Sequence, residues 1–152
     1  MLKLNFPSYI FKIQETDKGN EIFDSIRKKY VAFTDEEWVR QHCIAYLIKE
    51  KAYPASLIAV EKALVVNGLR KRTDIVVFGK DGTAKLIVEC KASHIKITNE
   101  VFDQIARYNM TLKVNYLMVT NGLQHYCCLI NHQEASYKFL EEVPDFGELA
   151  NR

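Results

Sequence analysis

Asp74, Glu89 and Lys91 are the residues whose types and spacing could do chemistry. A two-residue turn at Asp81-Gly82 sets Asp74 directly opposite Glu89 on neighbouring strands. A second two-residue turn, at Asn67-Gly68, sets Glu61 opposite Asp74. Three carboxylates then stand in a row across three strands, and Lys91 lies on the same face, two residues beyond Glu89. Cross-strand neighbours have Cβ atoms about 5 Å apart, and like charges placed so destabilise a sheet. Something must offset the repulsion: a cation, a raised pKa, or a nearby lysine or arginine. A divalent metal with oxygen ligands is the simplest answer. The bland alternative is a solvated charged face on which Lys91 and Arg72 neutralise the acids. Against it, Ile75-Val-Val-Phe78 and Leu86-Ile-Val88 are continuous apolar runs, the pattern of central strands covered on both sides.

The elements that must position these residues read as follows. Tyr9 to Glu15 and Glu21 to Asp24 flank the turn Asp17-Lys-Gly-Asn20 and form an N-terminal hairpin. Thr34-Asp-Glu-Glu37 starts a helix, with Thr34 as N-cap and Glu37 completing a capping box. Val39, Cys43, Tyr46 and Leu47 supply its apolar stripe, and Tyr53-Pro54 ends it. Three strands follow: Leu57 to Val66, Arg72 to Phe78 and Lys85 to Lys91. A second helix runs from Thr98 or Asn99 to about Lys113 and buries Phe102, Ile105 and Ala106. Tyr116 to Thr120, Tyr126 to Ile130 and Ser136 to Leu140 are further strands. The order predicts a mixed sheet carrying helices, an α/β or α+β domain. We expect one domain over 1–152, with a hairpin extension over 1–33 and a core over 34–143.

Composition bounds the function. The 152 residues are 48% hydrophobic and 26% charged, which excludes wholesale disorder. There is no apolar run long enough for a membrane helix and no signal-peptide pattern, so no membrane partner is expected. The balance of 21 basic to 19 acidic residues gives a net charge of +2, too weak to argue for nucleic acid by itself. Cys43, Cys90, Cys127 and Cys128 have no zinc or disulfide spacing and read as buried thiols in a reducing cytoplasm. His42, His94, His125 and His132 show no ligand spacing; His42 and His125 read as structural, and His94 as a residue that could border the cleft. Trp38 reads as core. Arg70-Lys71-Arg72 is the best basic cluster, followed by Lys28-Lys29. These residues either grip phosphates or cover a solvated turn.

Asp74 followed by Glu89-Cys-Lys91 on the next strand resembles the PD-(D/E)xK nuclease superfamily, whose core runs helix, three strands, helix, strand. Gln104-Ile-Ala-Arg-Tyr108 resembles the Q-x-x-x-Y motif of its RecB-type branch. Glu37-Trp-Val-Arg-Gln41, Arg72-Thr-Asp-Ile-Val-Val, Val88-Glu-Cys-Lys-Ala92, Tyr108-Asn109 and Thr120-Asn-Gly122 together resemble a free-standing N-terminal domain of type I restriction enzyme R subunits, over about residues 20 to 140. Thr73 stands where the superfamily name has proline. There is no G-x-x-x-x-G-K-[ST] phosphate loop, so no helicase motor is present in this sequence.

The resemblance implies a restriction-endonuclease-like fold and Mg²⁺-dependent hydrolysis of DNA phosphodiester bonds, with Mn²⁺ as a substitute ion. In that mechanism Asp74, Glu89 and the Cys90 carbonyl hold the metal. Lys91 orients water or stabilises developing charge, and Gln104 and Tyr108 line the site from one helical face. Glu37 and Glu61 are further metal candidates, although a capping box alone accounts for Glu37. DNA is the expected partner, together with partner subunits supplying motor or specificity; a homo-oligomer stays open. A nuclease-like module that binds nucleic acid or protein without cutting is the alternative.

Overall fold

The computed structural model describes residues 1–151. Helix α1, Asp35–Lys51, starts where Thr34 Oγ1 accepts the Glu37 backbone N–H at 3.0 Å. Asp35, Glu36 and Glu37 crowd its first turn, where the helix dipole favours negative charge. It stops at Ala52, which adopts a left-handed φ of 60°, with the Tyr53 N–H donating back to the Leu47 carbonyl at 3.1 Å. Val39, Cys43 and Leu47 are fully buried along one stripe, as the spacing predicts.

Six strands make the main sheet: β4 (Ile58–Val60), β7 (Ile75–Phe78), β8 (Ala84–Cys90), β9 (Tyr116–Thr120), β10 (His125–Asn131) and β11 (Ser136–Leu140). Their spatial order is β11-β10-β9-β8-β7-β4, and only β8 and β9 run parallel. The crossover from β8 to β9 carries helix α2, Asn99–Met110, N-capped by Thr98. One face of the sheet packs Ile75, Val77, Leu86, Val88 and Met118 on α1. The other packs Ile87, Leu117, Val119 and Cys128 on Phe102 and Ala106 of α2. Adjacent residues face opposite layers, which is why these strands read as unbroken apolar runs.

Three differences from the sequence reading have physical causes. The N-terminal hairpin is a three-stranded antiparallel sheet: β1 (Ile13–Thr16), β2 (Gly19–Asp24) and β3 (Lys29–Ala32). The strand expected over 57–66 is broken into β4 and β5 (Ala63–Val66), the one expected over 72–78 begins only at Ile75, and an unexpected strand β6 (Leu69–Arg72) pairs with β5 in a separate two-stranded hairpin. At the break, Glu61 has a left-handed φ of 53°. The consecutive pairs Glu61–Asp74 and Thr73–Lys62 each make a backbone bond at 2.9 Å, where a regular ladder bonds alternate pairs. A short C-terminal helix α3, Phe146–Ala150, was also not expected; Asp145 caps it and Leu149 is buried.

An N-terminal arm straps this core. The Asn5 N–H donates to the Gly122 carbonyl at 2.8 Å, His125 Nε2 lies 2.6 Å from the Asn5 carbonyl, and Leu4 is buried. Gly122 has a φ of +87°, and a Cβ added there would lie 2.8 Å from Leu4 and 3.0 Å from Val39. Gly122→Ala should therefore destabilise the protein by about 2–3 kcal/mol through overpacking and left-handed strain. Urea denaturation of the variant checks this, and an unchanged midpoint would contradict it. Among the described residues no helix is long and apolar enough to cross a membrane, and all four cysteines are buried free thiols.

Candidate active site

The strand register is the one the turns predict. Pairs Ile75–Val88, Val76–Ile87 and Val77–Leu86 join β7 to β8, so the next step puts Asp74 beside Glu89. The route differs from the expected one. The β7–β8 connection is a three-residue loop in which Gly82 takes a φ of +83°, not a two-residue turn. A register shift between Val77 and Phe78 absorbs the extra residue. On the other side, pairs Ile58–Val77 and Val60–Ile75 put Glu61 beside Asp74.

Asp74 is held by a backbone donor: the Cys90 N–H donates to its Oδ2 at 2.7 Å. Lys91 Nζ lies 3.3 Å from Glu89 Oε1, and both side chains are half-buried. Burial, and then the neighbouring Asp74 charge, raises Glu89 above the usual carboxylate range. Burial also raises Asp74, against the pull of the Cys90 N–H and the Arg40 and Lys91 charges. Two crowded carboxylates with raised pKa values carry unfavourable negative charge that Lys91 offsets only in part; a bound cation would offset the rest.

The other acidic candidates are placed differently. Glu61 follows the expected register, but its carboxylate meets three guanidiniums: Arg40 at 3.4 Å, Arg27 at 3.5 Å and Arg72 at 3.6 Å. Glu37 does not turn back onto the helix N-terminus as a capping box requires. Its Oε1 takes Arg27 at 2.9 Å, and its Oε2 takes Gln41 at 3.0 Å and lies 3.3 Å from Arg40. Asp24, fully buried, anchors the same Arg27 at 2.6 Å. This network ties the N-terminal sheet to α1 and to the β4 edge behind the site.

Glu36 is the acidic residue that sequence reasoning missed. Burial and the Asp74 charge raise its pKa, and the Arg40 and Lys91 charges oppose them, so it belongs to the electrostatic field of the carboxylate pair. The available signal was helix phase. Glu36 and Glu37 are about 100° apart around α1 and both reach Arg40, but the capping pattern pointed to Glu37 alone.

Gln104 and Tyr108 are both exposed on α2, Tyr108 at 55%. Among the described residues no hydrogen bond joins either to Lys91. Tyr108 instead receives Lys71, whose ammonium sits 3.5 Å from the ring centroid and donates to the Tyr108 carbonyl. Of the basic cluster, Lys71 is thus buried against α2, while Arg70 and Arg72 are exposed. His94 pairs with Asp35 at 3.4 Å on the rim, and Ser93 also binds Asp35, so the segment after β8 is moored to the start of α1. His42 and His125 sit in the aromatic cluster with Phe6, and Trp38 packs on Phe33 and His42 beside them.

No group of three or more His, Cys, Asp or Glu side chains converges as a metal cage among the described residues. Mg²⁺ does not require one. It keeps several waters and commonly takes one or two protein carboxylates, so Asp74 and Glu89 fit it in number and in chemistry. Protons bind these two carboxylates more tightly than an ordinary Asp or Glu and so compete with such an ion. Metal affinity should therefore weaken as pH falls. Mn²⁺ titration calorimetry at neutral and at lower pH checks this; an affinity independent of pH would contradict it.

No curated protein sequence matches the chain. Among solved structures, a fragment described as the HsdR subunit of a type I restriction enzyme from Vibrio vulnificus superposes with a TM-score of 0.53 at 18% identity. The match covers 80% of this chain and 25% of that one, so this chain spans about a quarter of its length. At that identity the likeness establishes the fold: a mixed sheet between helices with an N-terminal antiparallel extension. The model of the type I restriction enzyme R protein N terminus matches residues 35–144, from the first turn of α1 to the residue before the cap of α3. The chain belongs to that family.

Proposed function

We infer that this domain is a Mg²⁺-dependent endonuclease that hydrolyses DNA phosphodiester bonds in a restriction or defence setting. The observation that carries the reading is the Asp74–Glu89 pair, set side by side by strand register, with Lys91 on Glu89 and the Cys90 N–H on Asp74. Asp74, Glu89 and the Cys90 carbonyl would hold the ion. When bound, Mg²⁺ supplies Lewis-acid polarisation of the scissile phosphate and acidifies the attacking water. Lys91, beside Glu89, would orient that water and stabilise the charge that develops on the phosphoryl oxygens. Glu36, in the first turn of α1, feels the Asp74 charge and would add negative potential beside the pair. Gln104 and Tyr108, exposed on α2, would meet substrate rather than the metal. Partner subunits supplying translocation or sequence recognition fit the family, and Mn²⁺ would serve in place of Mg²⁺.

A second reading is a module that binds without cutting. It is favoured by the engagement of the Tyr108 ring and carbonyl with Lys71 rather than with the site lysine, and by the exposure of Gln104. Incubation of supercoiled plasmid and of single-stranded DNA with Mg²⁺, Mn²⁺ or EDTA separates the two. Nicking that needs the ion supports the nuclease. Metal-independent binding with no product supports the module.

A further inference from the structure

The β5–β6 hairpin next to the site has an unusual charge distribution. Residues 62–73 carry Lys62, Arg70, Lys71 and Arg72 and no acidic residue, in a chain whose net charge is only +2. Pairs Ala63–Arg72, Leu64–Lys71 and Val65–Arg70 fix which side chains share a face. Leu64 and Val66 pack on the α2 core, and Lys71 beside them is buried, with its ammonium on the Tyr108 ring and carbonyl. The carbonyl lies near the C-terminus of α2, the end that favours a cation. Arg70 and Arg72 must then lie on the opposite face. Arg72 is 73% exposed there, and Val65, opposite Arg70, is 62% exposed. Arg72 also reaches within 3.6 Å of Glu61, the residue paired with Asp74. A line therefore runs from the carboxylate pair past Glu61 to Arg72 and on to Arg70.

We propose that this outer face of the hairpin is the track on which the DNA backbone lies as it leaves the cleavage site, with Arg72 and Arg70 each taking a phosphate, and that Lys71 is the clasp that holds the track in place. Residues two apart on a strand are about 6.8 Å apart, close to the separation of successive phosphates along one nucleic-acid strand. A rigid fork of donors suits phosphate, and both residues in the track are arginine. The clasp matters because an isolated two-stranded hairpin is marginal in water. Pinned by Lys71, Leu64 and Val66, it presents its arginines without an ordering cost at binding. The inference rests on the nuclease reading and extends it to the path of the substrate.

The test is the salt dependence of binding to a short fluorescein-labelled DNA duplex, with Ca²⁺ in place of Mg²⁺ to prevent turnover. The parent, Arg70→Gln, Arg72→Gln, the double variant, Lys71→Met and Lys18→Gln in the distant β1–β2 turn are compared. Removing one arginine from its phosphate should flatten the slope of log K against log salt by about 1, and the double variant by about 2. Lys18→Gln should leave the slope unchanged. Lys71→Met should weaken binding at every salt concentration with the slope unchanged, and speed amide hydrogen exchange over 63–72; parental affinity and exchange in this variant would overturn the clasp. Unchanged slopes in the arginine variants, with the parent still cutting plasmid, would overturn the track and leave the nuclease standing. Slope changes in Lys18→Gln as large as in the arginine variants would also overturn it, because they would report diffuse charge alone. A parent that neither binds nor cuts DNA would overturn both.

Discussion

Asp74→Asn should reduce metal-dependent cleavage by about a hundredfold or more, and in EDTA it should melt at a higher temperature than the parent. The activity loss follows from removing one of two carboxylates available to the ion and to the transition state it stabilises. The stability gain follows from the sign of the shifts. Asp74 and Glu89 have folded pKa values above the usual carboxylate range, because burial and mutual repulsion disfavour their charged forms. Such a group contributes stability that is complete below its unfolded pKa and is lost as pH rises through its folded pKa. At neutral pH in the absence of metal the pair is therefore a cost to the fold. Asparagine removes one charge and can still accept the Cys90 N–H bond. Functional sites commonly store this kind of strain, and relieving it separates stability from activity. A variant that cuts like the parent, or that melts below it, would contradict the assignment.

Glu37→Ala should destabilise the protein by about 3–5 kcal/mol. The Glu37 side chain is 8% exposed, and its partner Arg40 is 7% exposed. Removing the carboxylate leaves Arg40 and Arg27 buried with part of their compensation gone. Urea denaturation at neutral pH measures the loss. A stability near that of the parent, with lost metal binding, would instead return Glu37 to the ligand set. Asp24 works in the same network with the opposite titration sense from Asp74. The Arg27 guanidinium and the Arg27 and Ile26 N–H groups outweigh its burial and hold it below the usual carboxylate range. Its contribution is present at neutral pH and is lost as pH falls through that lowered value.

How much of this was legible in the sequence differs from one feature to the next. Turn chemistry and apolar runs were enough to set Asp74 beside Glu89, because side-chain period and ladder register leave little freedom once one face is buried. The register survived a wrong turn type only because the Val77–Phe78 irregularity compensated for the longer loop. Thr34 as cap and Val39, Cys43 and Leu47 as core stripe were readable from local spacing alone. What local spacing could not give was long-range pairing. Glu37 looked like a capping residue until Arg27, ten positions earlier, took its oxygen. Lys71 looked like one of three equivalent basic residues until the hairpin laid it on Tyr108. The kink at Glu61 was invisible because the chain departs from strand geometry there with a residue that carries no turn signal. Glu36 was missed for want of the rotational phase of α1 against the strand ends.

Whether the Asp74–Glu89 pair holds a divalent cation decides the rest. Mn²⁺ titration calorimetry on the parent and on Asp74→Asn tests it most directly. We expect saturable binding to the parent and none to the variant. Equal binding to both proteins, or no binding to a well-folded parent, would contradict it.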